Sequence, residues 1–171
     1  MELNVTFTGY RPEKMPFTES ERDPMYQRFR EAHRDLVRHL ISLDCVVFFS
    51  GVARGFDTWA AEDVLYWKQT YPHVHLACAI PFSDQAKDWS ESDVQRRERI
   101  LSSASYVHTV SPQYRKGCFY ERNRYMVDRS DVLVAAFDGK PGGTAYTVEY
   151  ALSQGLTVLQ INPMTAEIIR L

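Results

Sequence analysis

Asp131-Val132-Leu133-Val134-Ala135-Ala136-Phe137-Asp138-Gly139-Lys140-Pro141-Gly142-Gly143-Thr144-Ala145-Tyr146-Thr147-Val148-Glu149-Tyr150-Ala151-Leu152-Ser153-Gln154-Gly155 reads as a strand, a glycine turn and a helix. Val132–Phe137 is continuously apolar, the pattern of a strand covered on both faces in a parallel sheet. Gly142 and Gly143 permit a turn whose backbone N–H groups face a ligand, and Thr144 is placed to cap the following helix. The first N–H groups of a helix lack internal partners and carry partial positive charge. The stretch therefore has the layout of a nucleotide phosphate site.

The same alternation extends outward in both directions. Strand-like runs recur at Leu3–Thr8, Cys45–Ser50, His75–Ile80, Tyr106–Val110, Asp131–Phe137 and Thr157–Asn162, each separated from the next by a helix-like segment. Asp23-Pro24 supplies an N-cap and a proline at the first helical position, and Phe29, Leu36, Leu40 and Leu43 form one stripe, predicting a helix from about Pro24 to Leu43. Asp57 is placed to cap a second helix reaching about Tyr71, with Trp59 and Trp67 as its core residues. Ser90 and Asp93 resemble a capping box before a third helix that ends near Ala104. Further helices are predicted over Phe119–Asp128 and Ala145–Gln154. The charged residues of Ser90–Arg99 read as a solvated helix face. The pattern predicts one α/β domain over residues 1–171: a Rossmann-like, doubly wound sheet of about six mainly parallel strands with helices on both faces.

Length and composition fit that reading. The chain has 171 residues, 44% of them hydrophobic and 25% charged, with a formal net charge of −2. No signal peptide and no apolar run of membrane-spanning length is visible, so a cytoplasmic protein without a membrane partner is expected. Cys45, Cys78 and Cys118 are widely spaced and suggest small buried hydrophobes rather than a disulfide framework. His73 and His75 lack a neighbouring carboxylate or cysteine in a metal pattern, and no metal or obligatory cofactor is expected. The slightly acidic balance argues against general nucleic-acid affinity, which needs clustered positive charge.

Right-handed crossovers bring every strand-to-helix loop to the carboxyl edge of the sheet, where ligands of such folds bind. The converging loops are Thr8-Gly9-Tyr10-Arg11-Pro12, Ser50-Gly51-Val52-Ala53-Arg54-Gly55-Phe56-Asp57, Ser111 to Lys116, and Gly139 to Thr144. Pro81 and Phe82 stand at another strand end, and Tyr10 and Phe82 are candidates for stacking on a base. Arg122 and Glu149 sit early in two successive helices. The arginine is suited to phosphate and the glutamate to ribose hydroxyls or a developing positive charge, unless the two form an ion pair between neighbouring helices.

Tyr120-Glu121-Arg122-Asn123-Arg124-Tyr125-Met126 together with Pro141-Gly142-Gly143-Thr144-Ala145-Tyr146-Thr147-Val148-Glu149 resembles the paired motifs of the LOG proteins, cytokinin-activating phosphoribohydrolases. In them an arginine and the glutamate of a Pro-Gly-Gly-x-Gly-Thr-x-x-Glu motif serve the glycosidic bond. Ser50 to Asp57 is similar to the Ser/Thr-Gly-Gly-x-x-Gly-x-Asp loop of Smf/DprA proteins. With Thr8-Gly9-Tyr10-Arg11-Pro12, these stretches resemble the SLOG superfamily and its YpsA-like branch of compact bacterial proteins. The chain departs from the hydrolase pattern at Ala145-Tyr146, which replace Gly-Thr, and at Asn123, where lysine is common.

The resemblance implies a pocket for a nucleotide or nucleotide-sugar such as ADP-ribose or NAD, formed by Thr8, Gly9, Tyr10, Arg11, Ser50, Gly51, Arg54, Gly55, Asp57, Pro81, Phe82, Arg122, Asn123, Gly142, Gly143, Thr144 and Glu149. It makes a homodimer plausible. Three functions follow: a ligand-binding regulator or sensor whose protein partner the sequence does not name, a nucleoside-monophosphate N-glycosidase using Arg122 and Glu149, or a single-stranded DNA binder. The altered motif favours the first.

Overall fold

The computed structural model describes residues 1–171. In chain order it contains β1 (Leu3–Gly9), a 3₁₀ turn (Pro12–Lys14), α1 (Pro24–Ser42), β2 (Cys45–Ser50), α2 (Phe56–Lys68), β3 (His75–Phe82), α3 (Glu91–Ser103), β4 (Tyr106–Ser111), α4 (Cys118–Asp128), β5 (Val132–Ala136), α5 (Gly143–Ser153), β6 (Thr157–Ile161) and β7 (Ile168–Arg170). The strands form one sheet in the order β4-β3-β2-β1-β5-β6-β7, parallel throughout except that β7 runs antiparallel to β6. β7 is a seventh strand beyond the six expected. Ile168-Ile169-Arg170 is only three residues long and exposed at every position, so it lacks the half-buried alternation that marks a strand in sequence.

From β1 the chain winds outward through β2, β3 and β4, then crosses back to β5 on the other side of β1. Right-handed crossovers put α1, α2 and α3 on one face and α4 and α5 on the other. In agreement, α2 packs against α1 and α3, and α4 packs against α5. The reversal between β1 and β5 leaves a crevice at their carboxyl ends, which is where this class of sheet receives ligands.

Local signals explain most element boundaries. Asp23 caps α1 by accepting from Met25 N at 3.0 Å, with Pro24 at the first helical position. Of the expected α1 stripe Phe29, Leu36 and Leu40 are buried, joined by Val37, whereas Leu43 is the exposed C-cap; Phe29 meets Phe56 and Trp59 of α2 edge-on. Phe7, Phe29, Phe48, Phe56 and Trp59 are all essentially inaccessible; burying each large side chain stabilises the fold by roughly 1.5–3 kcal/mol. Ser90 caps α3 through Asp93 N at 3.3 Å.

Two expected caps are absent. Gly55 is the N-cap of α2, with Asp57 two residues inside, and Gly142 is the N-cap of α5, with Thr144 two residues inside. Both helices therefore start without a side-chain hydrogen bond on their leading N–H groups. The charged run on α3 is solvated at Glu91, Gln95, Glu98 and Arg99, as expected, but not at two of its arginines. Arg97 is buried and donates to Gln85 Oε1 at 3.3 Å, and Arg96 bridges Glu62 and Glu19. Trp59 is in the core as expected; Trp67 is only partly buried and donates to Arg34 O at 2.8 Å.

A buried ionic network ties α1 to α2. Asp63 is inaccessible and accepts from Arg30 at 3.1 Å, Arg34 at 3.1 Å and His33 Nδ1 at 2.7 Å. Burial alone would raise this carboxyl; the His33 hydrogen bond and the charges of His33, Arg30 and Arg34 outweigh it and hold Asp63 below the usual carboxylate range.

Candidate functional site

A cavity of about 440 Å³ opens at the reversal between β1 and β5. Thr8, Gly9, Tyr10 and Arg11 reach it from the end of β1, Glu13 and Lys14 from the 3₁₀ turn, Ala53 and Asp57 from the β2–α2 connection, Phe119, Tyr120, Arg122 and Asn123 from α4, and Gly143 and Thr144 from α5. A hollow of similar size, about 460 Å³, lies among Arg38, His39 and His73 at the amino edge of the sheet. There the carbonyl end of α1, not a helix N-terminus, faces solvent, so the carboxyl-edge cavity is the one suited to an anion.

At the start of α5 the first internal hydrogen bond runs from Tyr146 N to Gly142 O, and no side chain caps the preceding N–H groups. Gly142 holds φ 154 and ψ −167, a conformation that side-chain-bearing residues rarely adopt, and so turns the chain abruptly into the helix. Lys14 Nζ stands 3.4 Å from the point where a Gly142 Cβ would lie and 5.4 Å from the centroid of the Tyr10 ring. Arg11 is exposed, with its guanidinium 5.5 Å from the Phe119 centroid. A helix N-terminus and two cations thus converge on one rim, whereas Glu13 is engaged by Arg54 at 2.7 Å.

The cavity also reaches two buried charges. Arg122 is 4% exposed; its Nε donates to Asn123 Oδ1 at 2.8 Å and its Nη1 to the carbonyl oxygens of Gly51 and Ala79 at 2.7 and 3.3 Å. Asp57 is 7% exposed, and the only hydrogen bond on its carboxylate is Ala53 N to Oδ2 at 3.4 Å. Burial raises the Asp57 carboxyl above the usual range despite the neighbouring Arg122, and burial lowers the Arg122 guanidinium despite Asp57. Gly51 is required here: a Cβ would lie 2.5 Å from Arg122 Nη1 and 2.9 Å from Asp57 Oδ2. The next residue, Val52, is fully buried at φ 53, a left-handed conformation that a β-branched residue holds only when its surroundings fix it.

The remaining predicted residues support the cavity or lie outside it. Ser50 Oγ accepts from Val52 N at 3.1 Å and donates to Asp57 O at 2.8 Å, which fixes the loop. Arg54 reaches Glu13, not the cavity, and Gly55 starts α2. Pro81 is buried in β3; Phe82 packs edge-on against Phe119 and Tyr114. Tyr10 lines the cavity but is 92% covered, and its hydroxyl donates to Asp138 at 2.5 Å. Burial, then this bond, pushes the Tyr10 hydroxyl up to about 12, leaving it a permanent donor.

Glu149 is exposed on α5, lines no part of the cavity and forms no ion pair with Arg122, contrary to both sequence readings of that pair. Asn123 instead links the two helices, donating to Thr147 Oγ1 at 3.1 Å. Sequence reasoning missed Glu13, Lys14, Ala53, Phe119 and Tyr120. Phe119 and Tyr120 had a usable signal: they precede Arg122 in the first turn of the same helix. Tyr120 is 44% exposed and meets Tyr146 edge-on at 4.6 Å, with Arg124 donating to the Tyr146 hydroxyl at 3.2 Å. No helix is long and apolar enough to cross a membrane.

Comparison with known proteins follows the same outline. The family described as the YspA SLOG family matches residues 5–166. A UPF0398 protein of Halalkalibacterium halodurans is 32% identical over 151 residues, covering 86% of this chain and 79% of the relative. One from Bacillus cereus is 30% identical over 154 residues, covering 88% and 83%. Among solved structures, DNA processing protein A (DprA) of Streptococcus pneumoniae superposes with a TM-score of 0.63 at 19% identity, and DprA of Helicobacter pylori, solved for its single-stranded DNA binding mode, with 0.64 at 19%. They match 93% and 92% of this chain, which spans 50% and 64% of their lengths. At that identity the likeness is one of fold.

Proposed function

The chain belongs to the YspA SLOG family, and from that premise we propose that it binds a nucleotide or nucleotide-sugar of the ADP-ribose or NAD kind in the cavity between β1 and β5, as a cytoplasmic regulatory or sensor protein. The observation that carries this reading is the uncapped start of α5, opening on that cavity beside Lys14 and Arg11. Unpartnered N–H groups and two cations favour a phosphate over a neutral ligand. Turnover by a LOG-like route is the weaker reading, because Glu149 faces solvent away from the cavity.

Single-stranded DNA is the competing ligand, favoured by the DprA fold and by exposed Tyr120, which lines the cavity together with Arg11. A homodimer belongs to the same reading. The free edge of β4, with Tyr106 and Val107 more than half exposed, is a surface available to it, and sedimentation velocity tests it. Thermal unfolding with ADP-ribose, NAD, AMP and an oligodeoxynucleotide separates the ligands. A bound ligand at about 100 times its dissociation constant adds about 2.7 kcal/mol of stability. A shift with the nucleotides supports the proposal; a shift with the oligonucleotide alone, or with none, contradicts it.

A further inference from the structure

Asp57 and Arg122 face each other across the floor of the cavity with hydrogen-bonding capacity left over. Asp57 Oδ1 accepts nothing, and Arg122 Nη2 donates to nothing, although both residues are more than nine-tenths buried and both line the cavity. Nor do they satisfy one another. Both crowd the same point above Gly51, yet no N···O contact within 4.0 Å joins them. The reason is visible in Arg122, whose Nη1 is turned onto the Gly51 and Ala79 carbonyls and whose Nε is held by Asn123. Neither free atom is sealed in the protein interior; both are open to the cavity, so an occupant of the cavity can use the remaining acceptor of Asp57 and the remaining donor of Arg122.

The chemistry of that occupant is constrained. Asp57 requires a donor and Arg122 an acceptor, side by side. A hydroxyl is both, and a vicinal diol meets both groups at once. A second phosphate would satisfy Arg122 but would set its charge against Asp57. We propose that Asp57 and Arg122 form the sugar subsite of this cavity, holding the 2′,3′-diol of a ribose whose phosphate lies at the start of α5. This assigns the ribose-binding carboxylate to Asp57 on α2 and not to Glu149. It rests on the proposed phosphate-binding reading and specifies that the ligand carries ribose and not deoxyribose.

Calorimetric titration with AMP, 2′,3′-dideoxy-AMP and ribose 5-phosphate tests it on the intact protein. AMP is expected to bind about 10-fold more tightly than dideoxy-AMP, equivalent to about 1.4 kcal/mol. Asp57→Ala should abolish the preference for AMP over dideoxy-AMP, so that the two bind with equal affinity. Equal binding of AMP and dideoxy-AMP by the wild-type protein, with ribose 5-phosphate also bound, overturns the sugar subsite and leaves the phosphate site standing. Binding of none of the three overturns both. If Asp57→Ala fails to fold, the wild-type comparison of AMP with dideoxy-AMP still decides.

Discussion

Asp57 and Asp63 lie six residues apart on α2, both shielded from solvent, and they are treated in opposite ways. Asp63 is surrounded by Arg30, His33 and Arg34 and held below the usual carboxylate range. Asp57 accepts one long hydrogen bond, lines a cavity and is raised by burial. A carboxylate of the first kind, engaged on both oxygens, fixes one helix against another. A carboxylate of the second kind keeps acceptor capacity open to the cavity, where an occupant can use it. The difference separates the part of α2 that holds the fold together from the part presented to a ligand.

The largest effect is expected at Asp63. Asp63→Ala leaves Arg30 and His33 buried without their carboxylate and should cost about 3–5 kcal/mol in urea unfolding. A loss below about 1 kcal/mol would make the two carboxylates equivalent. Gly51→Val comes next: its side chain overlaps Arg122 and Asp57, and a loss of about 1–3 kcal/mol is expected with ligand binding abolished.

Acid titration follows, with opposite signs for the two groups. Because the folded-state pKa of Asp63 is depressed, its stabilisation is present above the unfolded value of about 4 and disappears as pH falls through the lower folded value. The folded-state pKa of Asp57 is raised, so its contribution is present below about pH 4 and lost as pH rises through the folded value. The melting-temperature gap between wild type and Asp63→Ala should therefore narrow below about pH 4, while the gap for Asp57→Ala shifts in favour of the wild type. Gaps that move in the same direction would contradict the contrast. The smallest stability effect is Asp57→Ala at neutral pH, within about 1 kcal/mol, because one weak hydrogen bond and a desolvated charge nearly offset each other.

The fold was readable in the sequence where periodicity or caps were strong. The apolar run Val132–Phe137, which forms β5 as far as Ala136, the Asp23-Pro24 start of α1 and the Ser90 cap of α3 all match the pattern. β7 was not readable, because three exposed residues carry no period, and its pairing depends on β6 being at hand. In the site, the glycine loops and Arg122 announced themselves by local chemistry. Asp57 and Thr144 looked like caps because sequence shows residue type but not whether Gly55 or Gly142 turns the chain two residues earlier. Glu149 was assigned by its place early in α5 and then by motif analogy, and the helical rotation of α5 carries it outward. Lys14 was missed because its neighbourhood exists only after the 3₁₀ turn folds over the end of β1, whereas Tyr120 was legible from its place two residues before Arg122.

The central claim, that the start of α5 receives the phosphate of a nucleotide-derived ligand, is tested most directly by titrating ADP-ribose calorimetrically into wild type and Gly143→Val. A Cβ at Gly143 meets nothing within 4 Å, so the variant should fold with an unchanged circular dichroism spectrum and melting temperature. Its side chain would nonetheless project over the N–H groups that line the cavity. Binding to the wild type and none to the variant is the predicted result. Equal affinity for both, or no binding to either, would contradict the account.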